Sequence, residues 1–462
     1  MKNKRVSTLY TYMILIISMG LIAVCIIGKI PLFYGFFLAV IFSMIVLMIN
    51  GFCLSNLADM ILKAWKECVE IFVIVLLTGA IISMWIASGT VPTMIYYGFK
   101  YISHTNYLLA CFFITVIVSI VMGTAFGTVS TIGVALIGIG KGLLIPTPIL
   151  LGTIISGAFV GDKMSPIGVL VNLTIKTIDI QYKEFSKYIL KTLIPIIGVS
   201  SIIYYILGKS YGNNIDTYKL RLYQESIRDA FFISPLLLLF PIIIMILAIS
   251  GIKIIPNLTL GLFGGILVSI FFQKMSYIEI LKALFLGYHA TTGTKELNEI
   301  LRGGGIASVF EVILIIMGAI ALSSIFEGTN IIAPIIHQFT YKIKSKVKLM
   351  IRTGILSIAL TTATCDQTAG ILLPGRLLKE KYKELEIKKA VLARIIADTG
   401  TTIAPLIPWN INAILITAIT GITAVEYGPY AVLCYISPAV TIFIGAIGCA
   451  NLKIKEIASE KI

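Results

Sequence analysis

Charge is scarce in this chain of 462 residues: only 13% are Asp, Glu, Lys or Arg, about half the share found in ordinary soluble domains. Hydrophobic residues make up 58% and mean hydropathy is +0.99, so too few polar side chains exist to cover a surface in water. Soluble globular classes are excluded, and a membrane is the solvent that fits. There are three histidines, and the seven cysteines (Cys25, Cys53, Cys68, Cys111, Cys365, Cys434 and Cys449) are an odd number scattered mainly through apolar runs without metal-ligand spacing. Neither a disulfide framework nor a zinc site is expected. No small-x-small cleavage site follows the first apolar run, Leu9 to Ile27. Met1-Lys2-Asn3-Lys4-Arg5 therefore reads as the basic flank of an uncleaved span, with the N-terminus in the cytoplasm. The net charge of +15 does not indicate nucleic acid, because the lysines sit in short connections between apolar runs. Lipid headgroups are the partners expected there.

What the chain does have is a recurrence of apolar runs of roughly 17 to 25 residues, each able to cross about 30 Å of hydrocarbon as a helix. They fall near 9–27, 32–50, 70–87, 107–122, 186–207, 231–249, 255–272, 306–325, 347–363 and 428–449. Between them lie segments of another texture: Gly123 to Gly140, Gly152 to Leu173, Thr361 to Pro374 and Ala397 to Thr420, apolar yet dense in Gly, Thr and Ser. These are too polar to face lipid and too apolar for water, and broken or re-entrant helices buried against other helices satisfy both constraints. The expected fold is an all-α polytopic membrane protein of about ten to twelve transmembrane helices with re-entrant or broken helices.

A polar connection from Lys209 to Asp229 divides the chain almost in half, giving a first repeat over 1–208, a linker over 209–229 and a second repeat over 230–462. Three landmarks recur at nearly one offset: Gly89-Thr90 with Gly328-Thr329 (239), the segments opening at Gly123 and Thr361 (238), and Asp162 with Asp398 (236). Two inverted repeats are expected on that ground. The basic residues Lys209, Lys219, Arg221 and Arg228 sit uncomfortably with an external linker.

An ionised carboxylate at the bilayer centre costs on the order of 2.5 to 3.5 kcal/mol, so Asp162, Asp366 and Asp398 need a reason to be there. Handling of an ion or proton is the default reason; a helix cap, such as Asp398 capping the segment from Thr399, is the bland one. Burial favours a protonated carboxyl and a bound cation favours the ionised form, so one side chain can exchange the two. Hard cations take oxygen ligands, which Thr124, Thr128, Ser130, Thr131, Thr399, Thr401 and Thr402 supply. Lys163, beside Asp162, either balances charge or snorkels to the surface. Lys63, Lys66, Glu67 and Glu70 form an interfacial helix face, Glu311 is a further proton-site candidate, and Glu327 faces water. His104, His289 and His337 are structural. Asp398-Thr399-Gly400 spells the aspartic-protease triplet, and with Asp162 it raises the remote alternative of an intramembrane aspartyl peptidase, but the Gly-x-Gly-Asp signature is absent from Phe159-Val160-Gly161-Asp162. A passive channel fits broken helices with repeated acidic sites less well than alternating access does.

At these same segments the sequence resembles the NhaC-type sodium/proton antiporter family, over nearly the whole chain. The matching stretches are WIASGTVP (Trp85 to Pro92), GTAFGTVSTIGVALIGIGKGL (Gly123 to Leu143), IISGAFVGDKMSP (Ile154 to Pro166), DQTAGILLPGR (Asp366 to Arg376) and ADTGTTIAPLIPWN (Ala397 to Asn410). Residues that fit the family pattern are Gly123, Thr124, Gly127, Thr128, Asp162, Lys163, Ser165, Pro166, Asn172, Asp366, Asp398, Gly400, Thr401, Pro405, Pro408, Trp409 and Asn410. The resemblance implies a multi-pass exchanger in the cytoplasmic membrane carrying sodium against protons, with no cofactor and no enzymatic activity. Asp162, Asp366, Asp398, Thr124, Thr128, Asn172, Thr401 and Asn410 then bind the ion, Asp162 and Asp398 hold sodium directly, and Lys163 balances charge. A homo-oligomer is compatible with this reading.

The chain also departs from that pattern. After Pro166 the family usually continues Leu-Ser-Asp-Thr-Thr-Asn-Leu, whereas here Ile167-Gly168-Val169-Leu170-Val171-Asn172-Leu173 follows. One carboxylate and three hydroxyls are gone from that stretch. Ala125 stands where serine is usual, and Asn298 where aspartate is common. Fewer oxygens weaken a hard-cation site more than an apolar pocket, so the alternative expectation is an ion- or proton-coupled exchanger of an organic acid or amino acid.

Overall fold

Backbone groups in hydrocarbon must be satisfied within the segment, and the chain answers with helix after helix. The computed structural model describes residues 8–102, 106–166, 168–212, 217–250, 252–331, 343 and 345–444. His104, Ile167, His337 and Cys449 lie outside the described residues. A hairpin of α1 (Thr8–Ile27) and α2 (Leu32–Ile49) opens the fold, turning at Lys29 with φ 52. The amphipathic α3 (Leu54–Glu67) buries Leu57 and Ile61, while Lys63 and Glu67 pair at 3.9 Å on its exposed face. Trp65 Nε1 donates to the Met317 carbonyl at 2.9 Å and ties that helix down. Then come α4 (Val69–Ala87) and α5 (Thr90–Ile102).

Two helix systems of like design hold the centre. In the first, α6 (Tyr107–Met122) stops at Gly123, whose φ of 75 ends the helix, and Thr124 caps α7 (Ala125–Thr128). A π turn, Val129–Gly133, leads into α8 (Val134–Gly142). The chain returns along α9 (Thr147–Met164), breaks, and resumes as α10 (Val169–Ile178) and the long α11 (Tyr182–Gly212). Glycines set the contact of α6 with α9: a Cβ on Gly157 would lie 2.7 Å from the Phe112 carbonyl, and one on Gly161 would strike the Ser119 carbonyl. On α11, Ile189, Leu193, Ile196 and Tyr204 are buried whereas Ile194, Ile202 and Ile206 are exposed, so an apolar face points outward as lipid contact requires.

The stretch expected to be a polar linker is largely helical. After α11 runs to Gly212, α12 (Thr217–Ala230) buries Tyr223 and Ile227, one turn apart, and exposes Arg221, Glu225, Arg228 and Asp229. Gln224 Nε2 donates to the Tyr96 carbonyl on α5 at 3.2 Å. The chain then bends by 94° into α13 (Leu239–Ile249), followed by α14 (Ile254–Phe271) and α15 (Tyr277–Leu286). A two-stranded antiparallel ribbon, Tyr288–His289 with Arg302–Gly303, encloses α16 (Lys295–Ile300). Next is α17 (Phe310–Gly328), against which α2 and α3 pack.

In the second central system α18 (Lys346–Ala363) ends before Cys365 (φ 60), and Asp366 caps α19 (Gln367–Glu384). The return helix α20 (Lys389–Ile396) passes into a π turn, Ala397–Thr401, and a 3-10 turn, Ala404–Leu406, before breaking and resuming as α21 (Ile411–Thr420). α22 (Ala424–Tyr427) and α23 (Val432–Ile444) follow. The N-caps Thr124 and Asp366, the N-caps Gly168 and Asn410, and the left-handed C-caps Asp179 and Gly421 are each separated by 242 residues. In that register Asp398 falls opposite Ser156, so the spacing of the two aspartates is not the spacing of the elements.

Among the described residues six helices are long and apolar enough to cross a bilayer, with three bent pairs that qualify jointly and three shorter apolar helices. The protein is an all-α, multi-pass membrane protein.

Candidate functional site

The second π turn carries the most deeply buried charge pair among the described residues. Gly400 lets this segment close on α18: a Cβ there would collide with Ser357 Oγ and would lie 3.0 Å from both the Ser357 carbonyl and Thr361 Oγ1. Thr399 Oγ1 donates to the Ile395 carbonyl at 2.6 Å and Thr402 Oγ1 to the Ala397 carbonyl at 2.7 Å, satisfying acceptors that the widened turn leaves open. Asp398 is thus held mid-helix, and it caps nothing. From the last turn of α9, Lys163 reaches across and forms an ion pair with Asp398 Oδ1, both side chains being 0% exposed. Lys163 Nζ also donates to Ser437 Oγ on α23 at 2.8 Å, and Ser437 Oγ donates to Asp398 Oδ1 at 3.5 Å.

Asp398 Oδ2 has no hydrogen-bond partner among the described residues. Buried polar atoms are almost always satisfied, so an open carboxylate oxygen marks a place where a proton or cation can be taken up. Thr401 Oγ1, Thr361 Oγ1, Asn410 Nδ2 and Ser165 Oγ are likewise buried without a partner among the described residues. Thr401 offers its carbonyl to Gln367 Nε2 at 2.6 Å. Asn410 caps α21, accepting from Asn412 N–H at 3.0 Å, and the adjoining Ile411 N–H donates to the Cys365 carbonyl at 2.9 Å. The two helix breaks of this system therefore meet.

Asp162 and Lys163 are neighbours in sequence but serve different partners, since successive helical side chains diverge by about 100°. Asp162 turns to the first system, where its Oδ1 accepts from the Ala125 N–H at 2.9 Å, at the start of α7. Beside it Thr124 caps that helix, accepting from Gly127 N–H at 3.5 Å, and Thr128 Oγ1 donates to the Thr124 carbonyl at 2.9 Å. Asp366 is the N-cap of α19, accepting from Thr368 N–H at 3.3 Å. Carboxylates at Asp162 and Asp366 thus complement the positive ends of half-helices.

Asn172 does not join these groups. It is exposed, and its Nδ2 donates to the Pro166 and Gly168 carbonyls at 3.1 and 2.9 Å, fixing the break before α10. Glu311 is exposed in the first turn of α17, Glu327 is exposed at its far end, and His289 is exposed in the ribbon. Val169, where the resembled family usually has aspartate, is 77% exposed, so that exchange removes no oxygen from the buried cluster. Asn298 accepts from the Thr292 N–H at 2.5 Å and hydroxyl at 2.7 Å, roles an aspartate would fill. Ser437 and Gln367 were not singled out from sequence; Ser437 stands alone in an apolar run, which carries no signal.

Comparison with known proteins agrees with this architecture. The sequence model of the Na+/H+ antiporter family matches residues 157–449. The Na(+)/H(+) antiporter NhaC of Bacillus subtilis (strain 168) is 32% identical over 439 residues, covering 95% of this chain and 96% of that protein. NhaC of Alkalihalophilus pseudofirmus is 30% identical over 408 residues, 88% of each chain. The malate-2H(+)/Na(+)-lactate antiporter of Bacillus subtilis is 27% identical over 454 residues, covering 97% of this chain and 96% of that protein. With a match over more than half its length and a relative of this identity along nearly all of it, the chain belongs to the Na+/H+ antiporter family.

Proposed function

We propose that this protein is a secondary antiporter of the cytoplasmic membrane that exchanges internal sodium for external protons, with Asp398 binding either ion in turn. The observation that carries the reading is the buried Lys163–Asp398 pair with Asp398 Oδ2 left open. A sodium ion arriving at Oδ2 brings positive charge next to the Lys163 ammonium. At such short range in a low-dielectric site, that repulsion is worth several kcal/mol. Sodium and Lys163 therefore compete for one carboxylate, and so do sodium and a proton. Thr401 supplies a further oxygen from the broken helix, while Asp162 and Asp366 stabilise the half-helix ends that rearrange as access alternates. Sodium and protons are the transported species, the N-terminus faces the cytoplasm, and no cofactor takes part.

The test is collapse of a respiration-driven ΔpH in everted vesicles on adding sodium, lithium, potassium, malate, lactate or amino acids. Sodium should collapse the gradient in the native protein and fail to do so in Asp398→Asn at equal membrane abundance. Response to an organic solute with silence to every inorganic cation would overturn sodium/proton exchange and favour the activity named for the malate-lactate relative.

A further inference from the structure

A second oxygen-lined place lies between α14 and the first helix break. We infer that Asn257, on α14, supplies an amide-oxygen ligand to a sodium ion held there; the inference rests on sodium being a substrate. Asn257 sits in an apolar run, Ile254-Ile255-Pro256-Asn257-Leu258, yet is only 3% exposed. Burying a carboxamide is costly unless both of its ends are satisfied. Its Nδ2 donates to the Ile244 carbonyl on α13 at 3.0 Å. That carbonyl can only accept, which fixes the amide nitrogen toward α13 and turns Oδ1 the other way. No group among the described residues donates to Oδ1.

Asn257 lines a cavity of about 50 Å³ together with Thr124, Gly127, Ser130 and Thr131, and Met122, Ile252 and Leu258 complete its wall. Ser130 and Thr131 spend their hydroxyl protons on the Gly127 carbonyl, at 3.1 and 2.7 Å, so their oxygens keep lone pairs to offer. Among the described residues no lysine or arginine lines the space. A set of neutral oxygens without a cationic side chain suits a small hard cation and repels an anion. A space of about 50 Å³ on this scale has room for a sodium ion together with water. Countercharge is close by: Asp162 holds the N–H of Ala125, the residue after Thr124. One nearby carboxylate among neutral ligands matches a monovalent ion better than a divalent one.

Two substitutions separate a ligand from a mere packing residue. Asn257→Ala removes both the oxygen and the donor to Ile244, whereas Asn257→Asp keeps an oxygen and loses the donor. The sodium KM for ΔpH collapse in everted vesicles should rise about tenfold in Asn257→Ala and stay within about twofold of native in Asn257→Asp, tenfold corresponding to about 1.4 kcal/mol. In purified full-length protein, sodium chloride should raise the thermal midpoint relative to choline chloride for the native protein and Asn257→Asp, but not for Asn257→Ala. Equal losses in both variants, or an unchanged sodium KM and midpoint shift in Asn257→Ala, would overturn the inference while leaving sodium/proton exchange standing. Sodium-dependent stabilisation lost only in Asn257→Ala, with no sodium-driven ΔpH collapse in native vesicles, would sustain the site and sink the exchange reading. Native protein indifferent to sodium in both assays overturns both.

Discussion

Removing Lys163 should be among the most damaging single changes to this fold, and the damage should add little to that of removing its partner's charge. Both members of the Lys163–Asp398 pair are 0% exposed, so Lys163→Met keeps the side-chain bulk but strands a carboxylate away from water. Breaking a buried ion pair from one side typically costs about 3 to 5 kcal/mol. The Ser437 hydroxyl, 3.5 Å from Asp398 Oδ1, remains and offsets about 1 kcal/mol, which places the expected loss near the lower end of that range. Asp398→Asn is milder, because an amide oxygen still accepts from Lys163 and Ser437. The expected cost is about 1.5 to 3 kcal/mol, the worth of a hydrogen bond to a charged group. In Lys163→Met/Asp398→Asn no buried charge is left, so the loss should fall short of the sum of the two single losses by a coupling of about 2 kcal/mol or more. Thermal unfolding of the four proteins in detergent micelles, at equal sodium concentration, measures the cycle. A double variant whose loss equals the sum of the two single losses would refute the pairing as an energetic unit.

Other changes probe the contacts around that pair. Gly400→Ala should cost about 1 to 3 kcal/mol by overpacking, since its Cβ collides with Ser357 Oγ and crowds the Ser357 carbonyl at 3.0 Å. Adding Ser357→Ala should restore the thermal midpoint only in part, because the carbonyl stays. At the surface, Asp179 lies 3.3 Å from Lys389 and 3.6 Å from Lys379, and these lysines hold its carboxyl below the ordinary carboxylate value. The stabilisation is present above the unfolded value of about 3.9 and is lost as pH falls through the lower folded value. Asp179→Asn should therefore lower the midpoint slightly at neutral pH and low salt and match the native protein once both forms are uncharged. Added salt should shrink the difference, since Asp179 is 77% exposed.

Helix breaks were legible in the sequence because Gly, Thr and Ser crowd where apolar runs should be smooth. The breaks after Gly123 and before Asn410 fall inside the segments picked out by that texture. Which acidic residue would cap was not legible: Asp398 has the local look of a cap before Thr399, but the helix runs through it, and Asp366 caps instead. Pairing was also hidden. Adjacency joins Lys163 to Asp162, whereas helical geometry points the two apart and tertiary packing brings Asp398 from 235 residues away. The connection over 209–229 looked like a linker because it holds charges of both signs and two asparagines. Tyr223 and Ile227 at helical spacing were the signal that it folds against α5. Asn257 could not be found at all from pattern, since one asparagine in an apolar run has no partner in sequence; its meaning comes from the carbonyl of Ile244 on another helix.

The π turn over Ala397–Thr401 holds one residue more than an α-helical turn would need, and Asp398 lies inside it. If that extra residue migrated one position along the chain, the residue it passed would rotate by about 100° around the helix axis. A carboxylate carried through such a rotation would swing away from Lys163 without any helix having to slide or tilt. The widened turn therefore gives the chain a twist coordinate, local to a few hydrogen bonds, along which Asp398 could exchange one set of neighbours for another.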